Sequence, residues 1–384
     1  MEPLAFVAGA FCIALVLLDV FETVVVPRPT PGRFRIARHL TALSWRGWRF
    51  MGRRLGNGLT RERTLGIYAP ALVIALLICW LIVLVLGYGL VLYALRGELR
   101  PVPADLGTTI YFAGTSVLTL GFGDVLAAGP LARIVALTAA ANGLGVVALV
   151  ITYLFSLFGS FQRREILIVT LQARAGAPPS AIVLLETYAE LGITAELPAL
   201  FADWERWSAE VLDTHVAYPI LGYFRSSHDN MSWVSSLGAV LDAATLVITT
   251  IRGVSRAQAE LTRRVGGHFA EDISNFVGLR HEGSGVTPAD FTEAHRRLST
   301  AGYQLEPIDV AWPAFEQARA AYSGRLDALA EYWAVPAARW VEEHAATGSV
   351  VHELTAAAHH HDQAGRDVEA DAEPGPDRSP GTRQ

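Results

Sequence analysis

The sequence predicts an all-α membrane protein, with three membrane-spanning helices and an all-helical domain in the second half of the chain. Of its 384 residues, 52% are hydrophobic, which is high for a soluble protein. The apolar runs 4–26, 66–95 and 134–161 are each about long enough to cross a bilayer. Beyond residue 165, helical periodicity and helix-start signals recur almost throughout.

Charge is distributed unevenly along the chain. Residues 1–160 carry 13 Arg and 7 acidic residues, whereas residues 161–384 carry 18 Arg and 30 acidic residues. This division predicts a membrane domain with basic edges, followed by an acidic soluble domain. Cys12 and Cys79 both lie inside apolar runs, so a disulfide framework is not expected.

Residues 1–26 are predicted to form an N-terminal transmembrane helix. Its apolar run is interrupted by Asp19 and Glu22. Because a charge facing lipid is costly, we place both carboxylates at the cytoplasmic end, solvated and paired with Arg28 or its neighbours. A role for them in gating is the alternative.

Residues 27–65 are predicted to form a cytoplasmic loop. The positive-inside rule places so basic a segment in the cytoplasm. Apolar and aromatic residues interleaved with its arginines predict an amphipathic helix on the inner leaflet. Since the segment lies between two spans, no nucleic-acid partner is expected. Its arginines are Arg28, Arg33, Arg35, Arg38, Arg46, Arg49, Arg53, Arg54, Arg61 and Arg63.

A short glycine-containing motif lies between the second and third spans. The residues before it, 105–118, predict a short polar helix with Asp105 as its N-cap. The spans on either side are an outer helix over 66–95 and an inner helix over 131–161, which completes a pore domain over 66–161. The motif is Thr119-Leu120-Gly121-Phe122-Gly123-Asp124.

The residue types of this motif suit the binding of a dehydrated cation. Such an ion needs rings of oxygen ligands, which consecutive backbone carbonyls can supply. Alternate residues must then adopt backbone angles that glycine tolerates, as Gly121 and Gly123 do. A tight glycine-rich turn between two helices is the alternative interpretation.

The motif resembles the selectivity filter of the tetrameric potassium-channel family, whose pattern is Thr-Val/Ile-Gly-Tyr/Phe-Gly-Asp. The resemblance covers roughly residues 67–161. It implies that Thr119 to Gly123 bind potassium ions, with the Thr119 hydroxyl as the innermost ring and Phe122 bracing the filter. It implies no catalytic residues and no cofactor besides potassium ions in the filter.

Two residues depart from the family pattern. Leu120 stands where the family has Val or Ile, and Leu118 stands where Thr is common. Both affect the packing behind the filter, so potassium-over-sodium selectivity is not determined by the motif.

Further polar and small residues are candidates for roles around the pore. Asp124 is predicted to brace the filter or to concentrate cations at its mouth. Asn142 either lines the cavity below the filter or makes a helix–helix hydrogen bond. Gly143 and Gly145 either permit a bend or permit close packing. The pair Gly87 and Gly89 lacks the flanking Thr and Asp, and predicts close helix packing instead.

One pore loop per chain implies that four chains form a closed filter, so we expect a homotetramer. The orientation that follows puts the filter entrance outside and the C-terminus in the cytoplasm. We therefore expect a multi-pass protein of the plasma or inner cell membrane, surrounded by lipid.

Residues 162–350 are predicted to form a helical cytoplasmic domain, and residues 351–384 a disordered tail. Trp233–Ile251 is apolar enough to be a fourth span, but Asp242 in its middle favours a buried soluble helix. No nucleotide-binding glycine pattern and no metal-ligand spacing occurs, and the domain's ligand is unknown.

The function predicted from the sequence is passive conduction of potassium or other cations. The alternative is a non-conducting membrane receptor or scaffold, in which the pore fold serves assembly. A membrane enzyme is not supported, because no nucleophile–base grouping or metal signature is present.

Overall fold

Helices dominate the computed structural model, which describes residues 2–26, 36–55, 59–279 and 285–340. Strands β1 (Leu99–Arg100) and β2 (Leu126–Ala127) form a small antiparallel pair. The predicted tail, residues 351–384, and residues 341–350 before it lie outside the described residues. The helices are α1 (Pro3–Val20), α2 (Ile36–Arg54), α3 (Leu59–Gly66), α4 (Tyr68–Ala94), α5 (Leu106–Val117), α6 (Pro130–Ala175), α7 (Ala181–Glu190), α8 (Leu197–Ala217), α9 (Trp233–Thr249), α10 (Arg256–Val277), α11 (Pro288–Thr300), α12 (Ile308–Ala320) and α13 (Ser323–Trp333).

Three segments of the described chain are long and apolar enough to cross a membrane. They are Pro3–Val25, Thr60–Ala94 and Pro130–Ala175. Together with the nearly strand-free architecture, they confirm the predicted all-α membrane fold.

The third of these segments is longer than predicted. We expected the inner helix to end at residue 161, but α6 continues without a break to Ala175. The reason is local: no proline interrupts the sequence until Pro178, and the helix ends at Gly176, whose φ is +78°. One helix therefore runs from the pore domain into the C-terminal domain (residues 176–340).

Small residues bring α1 against α4. A Cβ atom added to Gly9 would lie 2.5 Å from the carbonyl oxygen of Gly87, and one added to Gly87 would lie 3.0 Å from that of Gly9. Only glycine at both positions permits so close an approach of the two backbones.

The structure corrects the expectation for Asp19, which is 2% exposed rather than solvated. Its Oδ2 accepts hydrogen bonds from the indole Nε1 of Trp80 at 2.7 Å and from the backbone N of Ala37 at 3.2 Å. A buried carboxylate requires such donors, and here α4 and the first turn of α2 supply them. Arg28, the predicted partner, lies outside the described residues.

Helix α2 is the amphipathic helix expected within the Arg-rich segment. Its buried face packs on α3 and on the start of α4. Trp48 Nε1 donates to the carbonyl of Thr64 in α3 at 2.9 Å, and Ser44 Oγ lies 3.0 Å from the hydroxyl of Tyr68, the first residue of α4. The opposite face exposes both apolar and basic side chains. These are Arg38, Leu43, Arg46 and Phe50.

An aromatic cluster joins this basic segment to the C-terminal domain. Tyr223 of the domain packs on Trp45 and Tyr68, with ring centroids 5.0 and 5.4 Å apart. The indole Nε1 of Trp45 donates to the carbonyl of Tyr332 at 3.2 Å. The C-terminal domain therefore lies at the N-terminal end of α4.

The central helix of the C-terminal domain is α9. Every residue from Trp233 to Val247 is buried by the helices around it. Of the two alternatives, a fourth span and a buried helix, the structure therefore shows the buried helix. Asp242 is accommodated because Arg319 Nε donates to its Oδ1 at 2.9 Å and the Tyr322 hydroxyl donates at 2.7 Å. Burial and the neighbouring carboxylate raise the pKa of Tyr322 well above its usual value, which keeps its proton available for this bond.

A buried charge pair fixes α6 in the C-terminal domain. The Arg164 side chain is 1% exposed and donates to the carbonyls of Leu221 at 3.0 Å and Phe224 at 2.8 Å. The adjacent Glu165 balances its charge at 3.0 Å and accepts from Ser226 Oγ at 2.5 Å. Both charges are thus hydrogen-bonded as well as paired, which their burial requires.

His215 completes this cluster as a neutral ring. Its Nδ1 donates to the carbonyl of Val211 at 2.8 Å, which leaves Nε2 unprotonated, 3.4 Å from Arg164 Nη1. Burial, followed by the Arg164 charge, lowers the pKa of His215 to about 3.

We expect Asp242→Asn to destabilise the protein by about 3 kcal/mol, because it leaves the buried Arg319 without its counter-charge. The melting temperature of the purified protein in detergent measures the effect. The control is Asp203→Asn, since the side chains of Asp203 and its partner Arg206 are 54% and 78% exposed and such pairs contribute less than about 1 kcal/mol. Equal effects of the two changes would contradict the prediction.

We expect His215 to make the protein less stable as the pH falls from 6.5 toward 3. In this window the unfolded chain binds a proton that the folded ring excludes, so folding loses up to about 1.4 kcal/mol per pH unit. His215→Gln should reduce this slope of melting temperature against pH. His268→Gln, at a side chain that is 64% exposed, should leave it unchanged; an unaltered slope in the first variant would refute the assignment.

Candidate functional site

The two ends of the loop that contains the glycine motif lie side by side. Strands β1 and β2 flank it, with Leu99 paired to Ala127 and Arg100 to Leu126. Between them α5 runs inward, and the chain returns through residues 118–125. The pore loop is thus re-entrant, and Asp105 begins its helix as predicted by accepting from the backbone N of Thr108 at 2.8 Å.

The last turn of α5 holds the first residues of the motif. The backbone N of Thr119 donates to the carbonyl of Ser116 at 3.0 Å, and that of Leu120 donates to the carbonyl of Thr115 at 2.7 Å. These bonds use carbonyls that have no partner within the helix, so they cap α5 and anchor the motif together.

Every second residue of the motif has a left-handed backbone. The φ angles are +56° at Thr119, +60° at Gly121 and +82° at Gly123, whereas Leu120 and Phe122 between them keep negative φ. Alternation of left- and right-handed residues is a backbone pattern that can turn successive carbonyl groups to one side of the chain, as a line of cation ligands requires.

Thr119 is the member of this series that sequence reasoning missed. We expected glycine alone to adopt the unusual backbone angles and gave Thr119 a role through its hydroxyl. A non-glycine residue in this region costs about 1 to 3 kcal/mol. The two hydrogen bonds on either side of it, at the end of α5, hold it in place.

The apolar side chains of the motif are exposed in the single chain. Leu118, Leu120 and Phe122 are 49%, 54% and 66% exposed. Phe122 stacks in parallel on Tyr111 of α5, with ring centroids 6.4 Å apart. The Tyr111 hydroxyl also lies near the carboxylate of Asp124, which is itself exposed. One side chain of the short helix therefore supports both the aromatic and the acid of the motif.

Asn142 makes the helix–helix hydrogen bond that was one of its two alternatives. Its Nδ2 donates to the hydroxyl of Tyr88 on α4 at 2.6 Å. The side chain thus joins α6 to the outer helix, and its position beside a cavity below the filter stays a prediction. Tyr88 is buried, so this polar pair is satisfied within the protein.

Gly143 and Gly145 differ in their surroundings. A Cβ on Gly143 would lie 2.0 Å from the carbonyl oxygen of Val117, the last residue of α5, whereas nothing lies within 4 Å of a Cβ on Gly145. Gly143 thus permits close packing of α6 against the pore helix. Helix α6 is continuous through both glycines.

The glycine pair of α4 packs as predicted. Gly87 lies against α1, and a Cβ on Gly89 would lie 2.7 Å from Ile110 Cγ1 of α5. Three consecutive residues of α4 therefore each contact a different helix: Gly87 contacts α1, Tyr88 contacts α6 through Asn142, and Gly89 contacts α5.

Glu98 has a structural role that the sequence did not indicate. Its Oε2 accepts from the backbone N of Ala132 at 2.9 Å, which caps α6, and its carbonyl accepts from Ala128 and Gly129 at 2.9 and 3.0 Å.

In the described part of the chain, no group of three or more His, Cys, Asp or Glu side chains is placed to hold a metal ion.

Comparison with known proteins gives one family match. Residues 80–160 match the model of a protein family described as "Ion channel". That stretch includes just over half of α4, the pore loop and the first two thirds of α6, and the match supports a potassium-channel-like pore module in a membrane protein. No curated protein and no solved structure matches the chain.

We expect Gly143→Ala to lower the melting temperature of the purified protein, because its methyl group would overlap the carbonyl of Val117. The cost of such overpacking is about 1 to 3 kcal/mol. Gly145→Ala is the matched control, since its methyl group meets open space, and it should melt like the wild type. If both variants behave alike, close contact at Gly143 does not stabilise the module.

Proposed function

We propose that the protein is a homotetrameric channel that conducts potassium ions passively through a filter formed by Thr119 to Gly123 of four chains. The alternating left-handed backbone at Thr119, Gly121 and Gly123 carries this proposal. Because such a backbone can turn successive carbonyls to one side, four such segments around an axis would present stacked rings of oxygen ligands.

Assembly from several chains is supported by the apolar side chains of the motif. Leu120 and Phe122 are more than half exposed in one chain, beside a loop that is otherwise well anchored. One pore loop is present in the described residues of each chain, so a closed ring needs further copies. Contact with neighbouring copies would cover these side chains and hold the carbonyl line at a fixed radius.

The membrane orientation is inferred from charge. The segment 27–65 holds ten arginines and one acidic residue, Glu62, so the positive-inside rule assigns it to the cytoplasm. Its helix α2 contacts the C-terminal domain through Trp45, and the pore loop lies at the opposite end of α4. We therefore assign the C-terminal domain to the cytoplasm and the filter mouth, with Asp124, to the outside of the cell membrane.

Ion flux through the purified protein in liposomes tests the proposal. With opposing potassium and sodium gradients, we expect flux whose reversal potential lies near that of potassium. Flux without preference would leave a cation channel but contradict potassium selectivity, and would implicate Leu118 and Leu120. Absence of flux from folded tetramers would contradict conduction and favour the receptor or scaffold alternative.

The variant Gly121→Ala tests whether the ion flux passes through the proposed filter. Alanine is disfavoured by about 1 to 2 kcal/mol at a φ of +60°, so we expect flux to fall at least tenfold while the tetramer persists in size-exclusion chromatography. Gly267→Ala is the control, since a Cβ atom on Gly267 in α10 meets nothing within 4 Å, and it should conduct normally. Unchanged flux in Gly121→Ala would refute the filter assignment.

A further inference from the structure

A polar cavity lies where the start of the outer helix meets the C-terminal domain. Its volume is about 400 Å³, in the range of small-molecule sites. One wall comes from α3 and the Gly66 turn, and the other from the loop 225–231 together with Val335. The polar side chains used below are Arg63, Arg225, Ser226, Ser227, His228 and Asp229.

The cavity has cationic and hydroxyl donors that the fold does not use up. Arg225 forms an ion pair with Glu62 and donates to the carbonyl of Ala334 at 2.5 Å, so its position is fixed. Arg63, in contrast, is exposed and makes no ion pair with any residue that the structure describes. The Ser226 hydroxyl already donates to Glu165, whereas the exposed Ser227 hydroxyl makes no hydrogen bond with any residue that the structure describes. An arginine beside such a serine hydroxyl is the chemistry that recognises a phosphate group.

Two further groups, His228 and Asp229, favour a particular chemical group on the ester side of the phosphate. The Nδ1 atom of His228 is buried and has no hydrogen-bond partner among the described residues. The carboxylate of Asp229 accepts hydrogen bonds and repels a bare dianion. Together they fit a ligand that carries hydroxyl groups beside its phosphate, and the apolar Met231 and Val335 would contact its carbon skeleton.

The loop that forms this cavity contacts both α3, which leads into the outer helix, and α6, the inner helix. Arg225 pairs with Glu62 on α3, which leads into α4. The next residue, Ser226, donates to Glu165 on α6 at 2.5 Å, and the backbone N of Ser227 lies 3.4 Å from the same carboxylate. A ligand that orders residues 225–229 therefore acts on contacts to the outer and the inner helix at once.

We propose that this cavity binds the phosphate ester of a small polyol, with Arg63 and the Ser227 hydroxyl on the phosphate and Asp229 on a hydroxyl group. The ester is either a free metabolite or the headgroup of a phospholipid, since α3 leads directly into a membrane-spanning helix. Binding alters ion flux through the loop's contacts to Glu62 and Glu165. The binding step is independent of the proposed channel activity, and only the effect on flux rests on it.

Calorimetric titration of the full chain, in detergent and phosphate-free buffer, with glycerol 3-phosphate tests the free-metabolite source. A rise in melting temperature on adding phosphatidylglycerol, compared with phosphatidylcholine, tests the headgroup source. We expect Arg63→Gln to weaken either response at least about tenfold in the concentration required. Arg206→Gln, which removes another exposed arginine outside the cavity, should bind like the wild type.

The outcomes separate the parts of the proposal. A response to glycerol 3-phosphate assigns a soluble ligand, and a response to phosphatidylglycerol alone assigns a headgroup. No response to either probe, or a response that Arg63→Gln leaves intact, overturns the site. Binding that leaves flux in liposomes unchanged overturns the regulatory role but keeps the site. A protein that binds the probe and conducts no ions would contradict the channel proposal alone.

Discussion

Close packing at one level of α4 is the constraint on which the pore domain depends. Gly87 lets α1 approach, Tyr88 bonds to Asn142 of α6, and Gly89 lets α5 approach. Because α5 and α6 are in turn packed backbone to backbone at Gly143, the helix that carries the filter motif is held from two sides. The geometry of the motif is therefore a property of helix packing as much as of its own residues.

The second determinant is the continuity of α6. The helix that packs against the pore helix at Gly143 is the same one that carries Arg164 and Glu165 into the C-terminal domain. Such a pair is costly to bury, and its hydrogen bonds to Phe224 and Ser226 make it a fixed attachment rather than a sliding contact. Together with the aromatic cluster around Tyr223, this charge pair attaches the C-terminal domain to both the outer and the inner helix. Motion of that domain would thus be transmitted to the pore module by rigid elements.

Much of the site was accessible from sequence because its signals are local. Glycine at two alternate positions, an Asp that can cap a helix and an unbroken apolar run each act within a few residues. Thr119 shows the limit of this reasoning: its left-handed backbone is imposed by hydrogen bonds to α5, and nothing in a threonine indicates it. Glu98 shows the same limit, since its bond to Ala132 joins residues far apart in the chain.

The sequence by itself determined the membrane class, the helical periodicity, the filter-like motif and the start of the pore helix, because hydropathy and backbone preference are read from neighbouring residues. The tertiary structure alone decided which polar residues are buried and with whom they pair. Asp19 bonds to Trp80, Asn142 to Tyr88 and Asp242 to Arg319. Such partners are selected by the need to satisfy a polar group wherever packing buries it, and packing brings together helices that the sequence leaves far apart.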